Sequence, residues 1–152
     1  MPARALAPTV EKRLATARVA RLATLDPVGH PHIVPVCFIY DGTAFYTAID
    51  RKPKRVLPAR IARVRNIRSH AQVALLIDHY EEDWSRLWYV LVQGRAQVVP
   101  ASARAERARA LRKLRAKYPQ YAGALLPADA PLIRIRPQRT VRWDYLPAQQ
   151  GG

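Results

Sequence analysis

The residues with the most evident chemical potential are four cations in one short run, Arg51, Lys52, Lys54 and Arg55. Residues 43–49 before this run alternate with the period of a β-strand, and the apolar residues of 54–69 recur at helical spacing. Cations at a helix N-terminus oppose the helix dipole and lower helix stability unless an anion binds there. The run therefore predicts a phosphate or carboxylate site, and a solvated basic loop is the alternative.

Histidine and cysteine residues offer a second set of candidates. His30 and His32 share one face of a predicted strand, which makes a metal site geometrically feasible, but Cys37 falls on the opposite face and no third ligand of comparable quality is evident. We therefore predict no metal, and we expect Cys37 to be a small buried hydrophobe. The sequence shows no nucleophile with an adjacent base and no carboxylate pair at catalytic spacing. No catalytic side chain is predicted, and this absence agrees with cofactor chemistry.

A net charge of +15 and a pI near 11.0 are the most unusual bulk properties of these 152 residues. They imply an anionic partner, which means nucleic acid, a membrane surface or a highly charged small ligand, although a GC-rich genome produces the same arginine bias. The single cysteine excludes an internal disulfide and suits a reducing cytoplasm. Because the sequence shows no signal peptide and no apolar run near the ~20 residues of a membrane span, a cytoplasmic protein is expected.

The length predicts one domain over residues 1–152, with loose tails at 1–8 and 147–152. Two helices besides the one at 54–69 are predicted, over 9–17 and 102–118. Strands are predicted over 19–25, 32–40, 43–49, 72–79, 87–99, 132–136 and 140–145. Short turns make the first three strands an antiparallel meander, Pro35 marks an edge, bulge or opening of the sheet, and Gly94 marks a bulge or close backbone approach. About six strands with inserted helices predict a mainly β, α+β fold built on a small antiparallel barrel.

A series of short motifs carries a family likeness through its order and spacing. The motifs are RLATL at 21–25, GHPHIVPV at 29–36, KPKR at 52–55, RNI at 65–67, VALL at 73–76 and QGRA at 93–96, with DHY at 78–80 and DWSRLW at 83–88. Together they resemble the pyridoxamine 5'-phosphate oxidase-like split-barrel superfamily, and more narrowly its actinobacterial branch that uses the deazaflavin coenzyme F420. The likeness covers nearly the whole chain, roughly from Val10 to Tyr145.

The resemblance implies a six-stranded antiparallel split β-barrel of the FMN-binding type and a homodimer with its cofactor sites at the subunit interface. The cofactor ring would lie against the second and third strands, and its anionic tail against the basic run and the following helix. The implied ring-side residues are His32, Val34, Pro35, Val36, Thr47 and Ala48, with a surface position as the alternative for His32. The implied phosphate-side residues are Lys52, Lys54, Arg55, Arg63 and Asn66, where Arg63 stands in place of the family's usual lysine. Arg86 and Trp88 are implied as a far wall that the partner subunit supplies.

The activity that the resemblance implies is an F420-dependent oxidoreductase, which transfers a hydride between F420 and a small electrophilic substrate. The phosphodiester and oligoglutamate tail of F420 account for the excess cations more fully than flavin mononucleotide (FMN) does. An FMN-binding flavoprotein and an F420 carrier without turnover are the alternatives within the same fold. From another class, a nucleic-acid-binding protein would use the arginines of 60–68 and 104–117, but the sequence shows neither a helix-turn-helix nor aromatics interleaved with the cations. A membrane is not an expected partner.

Overall fold

The computed structural model describes residues 5–50 and 58–145, and the cations at 51–55 lie outside these ranges. The helices are α1 (Pro8–Thr16), α2 (Pro58–Ser69) and α3 (Arg104–Lys117). The strands are β1 (Ala20–Leu25), β2 (Pro31–Val36), β3 (Ile39–Tyr40), β4 (Phe45–Ala48), β5 (Gln72–His79), β6 (Trp88–Val98) and β7 (Leu132–Asp144). Short 3-10 turns occupy Trp84–Arg86 and Pro119–Ala122. Within these ranges, no helix has the length and apolar character needed to cross a membrane.

The strands form one antiparallel sheet in the order β2-β1-β5-β6-β7-β4-β3, and the sheet curls into a half-barrel. The predicted mainly β split-barrel fold is confirmed, although it has seven strands and not six. The single strand predicted at 32–40 is wrong, because Cys37 and Phe38 divide it into β2, which pairs with β1, and β3, which pairs with β4. These two strands lie at opposite edges of the sheet, so the simple three-strand meander is also wrong. Pro35 lies on an edge strand as predicted, where its missing N–H group breaks no interior ladder.

The two short strands predicted around Pro137 are one continuous strand, β7. That prediction is wrong because a bulge absorbs the proline: Gly94 pairs with Pro137, and the next pair skips Gln138. Glycine is needed at position 94, since a Cβ atom there would collide with the carbonyl oxygen of Arg136. The bulge and close backbone approach predicted at Gly94 are therefore confirmed.

Alternation along the strands divides the apolar side chains between two cores. The inner core takes α1 and α2 through Val10, Leu14 and Ile67. Its strand residues are Ala20, Leu22, Val36, Phe45, Val73, Leu75, Ile77, Val90, Val92, Ala96, Ile133 and Ile135. The outer core lies on the opposite face of β3, β4 and β7, where Leu111 and Leu114 of α3 share one cluster with Ile39, Tyr46 and Leu132. Burial of such side chains is the main source of stability, at roughly 1.5–3 kcal/mol for each large apolar group.

Lys117, the last residue of α3, holds α3 against α1 and the β2–β3 link. Its ammonium group donates to the carbonyl oxygens of Leu14 (2.9 Å) and Phe38 (3.0 Å) and lies 3.7 Å from the centre of the Phe38 ring. Desolvation, and after it the charge of Arg18, lowers the pKa of Lys117 from 10.5 to about 8. Desolvation also raises the pKa of Tyr118, to about 12. The partly desolvated amine of Lys117 thus joins α3 to α1 and to the β2–β3 link.

We predict that the free energy of unfolding rises as the pH increases from about 8 to about 10. Over that window folded Lys117 loses its proton while an unfolded lysine, with a pKa of 10.5, keeps it, so the unfolded state binds more protons. Above about pH 10 the trend reverses, because tyrosines in the unfolded chain ionise before the folded Tyr118 does. Urea denaturation at several pH values measures the effect. A Lys117→Met control keeps the apolar length and loses the rise; a rise of equal size in that variant would assign it to another group.

Candidate functional site

The edge strand β2 carries most of the residues predicted to face a cofactor ring. Val36 is buried opposite Ala20, Val34 packs partly into the inner core opposite Leu22, and Pro35 is exposed. β1 is the one strand of the described chain that pairs with β2, so the sheet does not use the backbone groups along the other edge of β2. The structure therefore presents an open edge with apolar side chains on its inner face.

His32, Thr24 and Asn66 form a polar cluster at the end of the inner core. His32 lies directly opposite Thr24 in the β1–β2 pair, and Asn66 of α2 donates from Nδ2 to Thr24 Oγ1 at 3.0 Å. Thr24 and Asn66 are only 2% and 1% exposed, so solvent does not compete for this hydrogen bond. The structure thus brings together two predicted site residues and one, Thr24, that the sequence analysis missed, because nothing in a strand pattern shows which helix will reach it.

Two atoms of this cluster, His32 Nδ1 and Asn66 Oδ1, are buried without a hydrogen-bond partner among the described residues. Buried polar atoms are nearly always paired, and an unpaired one costs about 1–3 kcal/mol. Asn66 Oδ1 is purely an acceptor, and a histidine nitrogen accepts or donates according to its tautomer. Asn66 Oδ1 therefore suits a small donor group, such as a water molecule or a ligand hydroxyl, and His32 Nδ1 suits a donor or an acceptor.

Thr47 and Ala48, at the end of β4, face the two cores. Thr47 is 1% exposed, and Ala48 packs in the outer core. β3 pairs only with Phe45 and Tyr46, so on that side the main chain of Thr47 and Ala48 faces no strand of the described chain. A ligand at this position would contact main-chain atoms rather than these side chains.

Asp50 is a buried carboxylate that the sequence did not single out, and it directly precedes the four cations in the chain. Its Oδ2 accepts a hydrogen bond of 2.6 Å from the Tyr121 hydroxyl. Desolvation, and then this carboxylate, raises the pKa of Tyr121 above the usual value for tyrosine, so the phenol stays protonated and donates. The bond holds the exit of β4 against the Pro119–Ala122 turn. In the sequence, this role of Asp50 is indicated only by its position, since it is an acidic residue directly before a run of cations.

The predicted phosphate-side residues are only partly within the described ranges. Lys52, Lys54 and Arg55 lie outside them, so their role stays a prediction. Arg63 is half-buried and Asn66 is buried, and both belong to α2 at a spacing of three residues, which places them side by side on the helix surface. α2 therefore links the cation run, in sequence, to the polar cluster with Thr24.

Arg86 and Trp88 lie far from this cluster within one chain. Trp88 pairs with His79, five residues along β5 from the partner of Ala23, which is about 17 Å at strand spacing. Trp88 is half-buried, with the Arg13 guanidinium 5.0 Å above its ring. Arg86 is exposed, and its ion pair with Glu81 measures 3.7 Å. A contribution of these two residues to the site as a far wall thus requires a second subunit and stays a prediction.

His30, His32 and Cys37, the residues considered as metal ligands, lie in three different surroundings. His30 lies in the β1–β2 turn, 3.3 Å from Asp26 Oδ2, whereas His32 faces Thr24. Cys37 is half-buried against the outer core. Its exposure is greater than expected for a core hydrophobe, because Cys37 lies in the link between two edge strands.

Comparison with known proteins gives a family match over most of the chain. Residues 6–144 match the family described as pyridoxamine 5'-phosphate oxidase. Among curated proteins, no sequence gives a significant match.

Several solved structures share this fold at low sequence identity. A FAD-binding protein of Mesorhizobium loti has a TM-score of 0.64 and 21% identity, and the alignment covers 90% of this chain and 94% of that one. The haem storage protein HutZ of Vibrio cholerae has a TM-score of 0.69 and 17% identity, with coverage of 93% and 95%. An F420 reductase has a TM-score of 0.60 and 24% identity, with coverage of 86% and 94%. The likeness concerns the fold, and the names of these three proteins indicate three different ligands.

We predict that Asn66→Ala lowers the free energy of unfolding by about 1–3 kcal/mol, because Thr24 loses its buried partner. Thr24→Val should cost a similar amount, and the double variant should cost clearly less than the sum, since both substitutions break one bond. A double-mutant cycle from urea denaturation measures the coupling. Strict additivity would show that Thr24 and Asn66 do not act as one unit.

Proposed function

Because the chain belongs to the pyridoxamine 5'-phosphate oxidase family, we propose that it is an F420-dependent oxidoreductase, which transfers a hydride between F420 and a small electrophilic substrate. The family is named for an oxidoreductase, and one solved structure with this fold is an F420 reductase. The observation that carries the choice of F420 is the run of four cations between the end of β4 and the start of α2, in a chain of net charge +15. F420 has a phosphodiester and several carboxylates, whereas FMN has a single phosphate.

Residues of β2 and α2 within the described ranges fit a planar ring with polar edges. β2 offers an open backbone edge and the aliphatic side chain of Val34. His32 Nδ1 and Asn66 Oδ1 are two polar atoms that the described chain leaves without partners. Ligand sites of this kind combine apolar walls with a few placed polar groups. These residues therefore offer the types of contact that the ring of the coenzyme requires, which are an apolar wall and a few polar atoms.

In this proposal the bound coenzyme supplies or accepts the hydride, and the chain positions it and excludes water. Val34 is the partly exposed apolar side chain on the inner side of β2, and Val36 beside it is buried in the inner core. Asn66, held by Thr24, presents a fixed acceptor, and the Asp50–Tyr121 bond fixes the point from which the cations continue. No side chain is assigned a covalent role.

Fluorescence titration of the apo-protein with F420 and with FMN tests the choice of coenzyme. We predict tighter binding of F420, and equal or tighter binding of FMN would place the protein among the flavin-dependent members instead. Lys54→Ala should weaken F420 binding roughly tenfold to a hundredfold, because one charge-assisted hydrogen bond of about 1.5–3 kcal/mol is lost. Ionic strength is held constant, since salt screens exposed charges.

Lys12→Ala is the matched control for this titration, because Lys12 is an exposed lysine on α1, outside the site. It removes the same charge and should leave F420 affinity unchanged. Unchanged affinity in Lys54→Ala, and again in a Lys52/Lys54/Arg55 triple alanine variant, would place the anion site elsewhere. Reoxidation of reduced F420 by a panel of activated alkenes, imines and quinones separates an enzyme from a carrier.

We also propose that the chain forms a homodimer through the face of the sheet formed by β2, β1, β5, the first half of β6 and the last residues of β7. The outward side chains there are largely apolar: Ile33, Ala23, Ala74, Leu76, Tyr89, Leu91, Val141 and Trp143. Ile33 is 63% and Trp143 40% exposed in the single chain. The buried apolar residues of α1, α2 and α3 belong to the inner and outer cores, so those helix faces are already occupied. A patch of this character generally marks an interface.

We predict a particle of twice the 17.2 kDa chain mass in sedimentation at micromolar concentration. Leu91→Glu places a charge in the middle of the apolar face and should shift the particle to the monomer mass, since an unpaired charge is costly to bury. Ala105→Glu, at an exposed position of α3, adds the same charge away from the face and should remain dimeric. A wild-type monomer that binds coenzyme would contradict a site shared between subunits.

A further inference from the structure

We propose that a second anion site, separate from the coenzyme site, lies in a groove on the outer face of β6 and β7 and is centred on Arg95 and Arg136. Its ligand is a small molecule with two or more phosphate or carboxylate groups. The groove has a volume of about 1600 Å³. Its walls come from the end of α2, the β3–β4 turn, the first turns of α3 and residues 128–131.

Arg95 and Arg136 are the centre of the groove because they are paired directly across two strands. Both side chains are exposed, and neither makes a hydrogen bond or an ion pair within the described ranges. Like charges placed directly opposite each other in an antiparallel pair are destabilising. A bound dianion that contacts both guanidinium groups removes that repulsion.

Arg134 lies two residues before Arg136 on β7 and, in contrast to it, is paired within the protein. Arg134 is 11% exposed, forms an ion pair with Glu106 and donates to Gln97 Oε1 at 2.7 Å. Glu106 also accepts from the Tyr46 hydroxyl at 2.8 Å. The charge of Arg134 is therefore matched by the protein itself, whereas two residues further along the strand the charge of Arg136 is not.

The carboxylates that line the groove are already engaged. Asp41 accepts from the backbone N–H groups of Thr43 and Ala44, and Glu106 is bound to Arg134. Asp129 also has a partner. Three further arginines line the walls, Arg68, Arg107 and Arg109. Positive charge thus exceeds negative charge among the side chains that line the groove.

Two features select a small multivalent anion as the ligand. Both arginines stand on paired strands beside the bulge at Gly94, where the main chains of β6 and β7 approach closely. Opposed residues in such a pair have Cβ atoms about 5 Å apart, so two guanidinium groups converge on one small ligand. Guanidinium groups bind phosphate and carboxylate in bidentate fashion, which makes these the two candidate chemistries.

The test is thermal unfolding of the full chain with pyrophosphate or citrate, against sodium chloride at equal ionic strength. For a Kd of about 1 mM, 10 mM ligand should raise the Tm of the wild type by roughly 3–6 °C. In an Arg95→Gln/Arg136→Gln variant the ligand-free Tm should equal or exceed the wild-type value, and the ligand-dependent rise should disappear. The larger Tm rise of the two, with pyrophosphate or with citrate, shows whether the site prefers phosphate or carboxylate groups.

Arg104→Gln/Arg112→Gln is the matched control, because it removes two exposed arginines of α3 that lie outside the groove. It should keep the full ligand-dependent rise. An equal rise in the groove variant, or stabilisation by a single-stranded oligonucleotide but by neither small anion, would overturn the proposal. F420 titration of the Arg95→Gln/Arg136→Gln variant tests whether the two sites are distinct, and its F420 affinity should match that of the wild type. A loss of affinity equal to that of Lys54→Ala would show that the groove and the coenzyme site are one site and would also overturn the proposal.

Discussion

The close approach of the Gly94 and Arg136 main chains is the constraint on which the shape of the sheet depends, because β7 changes its surroundings at that point. Before the bulge, β7 contributes Ile133 and Ile135 to the inner core and Leu132 to the outer core beside α3. Beyond the bulge, the same strand runs beside the segment that leads into α1. An extra residue bends a strand and increases its twist, so one continuous strand serves α3 at one end and α1 at the other.

The distribution of charge follows from a shortage of carboxylates. With 26 cations and 11 acidic residues, the chain has more than two cations for each acidic side chain. Some ion pairs join distant elements, as Arg21 with Asp78 and Arg134 with Glu106 do, and others are local, as Arg142 with Asp144 is. An exposed pair such as Arg86 with Glu81 contributes little stability. Self-repulsion of a highly charged chain is then relieved by whatever anions it binds.

Much of the fold is predictable from the sequence, and the errors have a common origin. The period-two alternation of apolar residues predicted the bounds of β5 and β6 to within one residue, and the glycine at position 94 predicted the bulge between β6 and β7. The errors at 32–40 and at Pro137 arose because strand pairing is decided by partners far along the chain. The same holds for the site: Asn66 was predicted from a motif, but its partner Thr24 lies 42 residues away, and Tyr121 lies 71 residues from Asp50. Local patterns carry no information about such pairs.

The link between β2 and β3 consists of Cys37 and Phe38, and it connects the two edges of the sheet. The N–H group of Phe38 donates to the Tyr118 hydroxyl at 3.0 Å, and its carbonyl oxygen accepts from Lys117. Surface loops tolerate insertions because closure entropy rises slowly with length. This segment is not such a loop, since one added residue would reverse the side-chain parity of β2 or β3. Its length is therefore expected to be as invariant among descendants of this chain as any residue that touches a ligand.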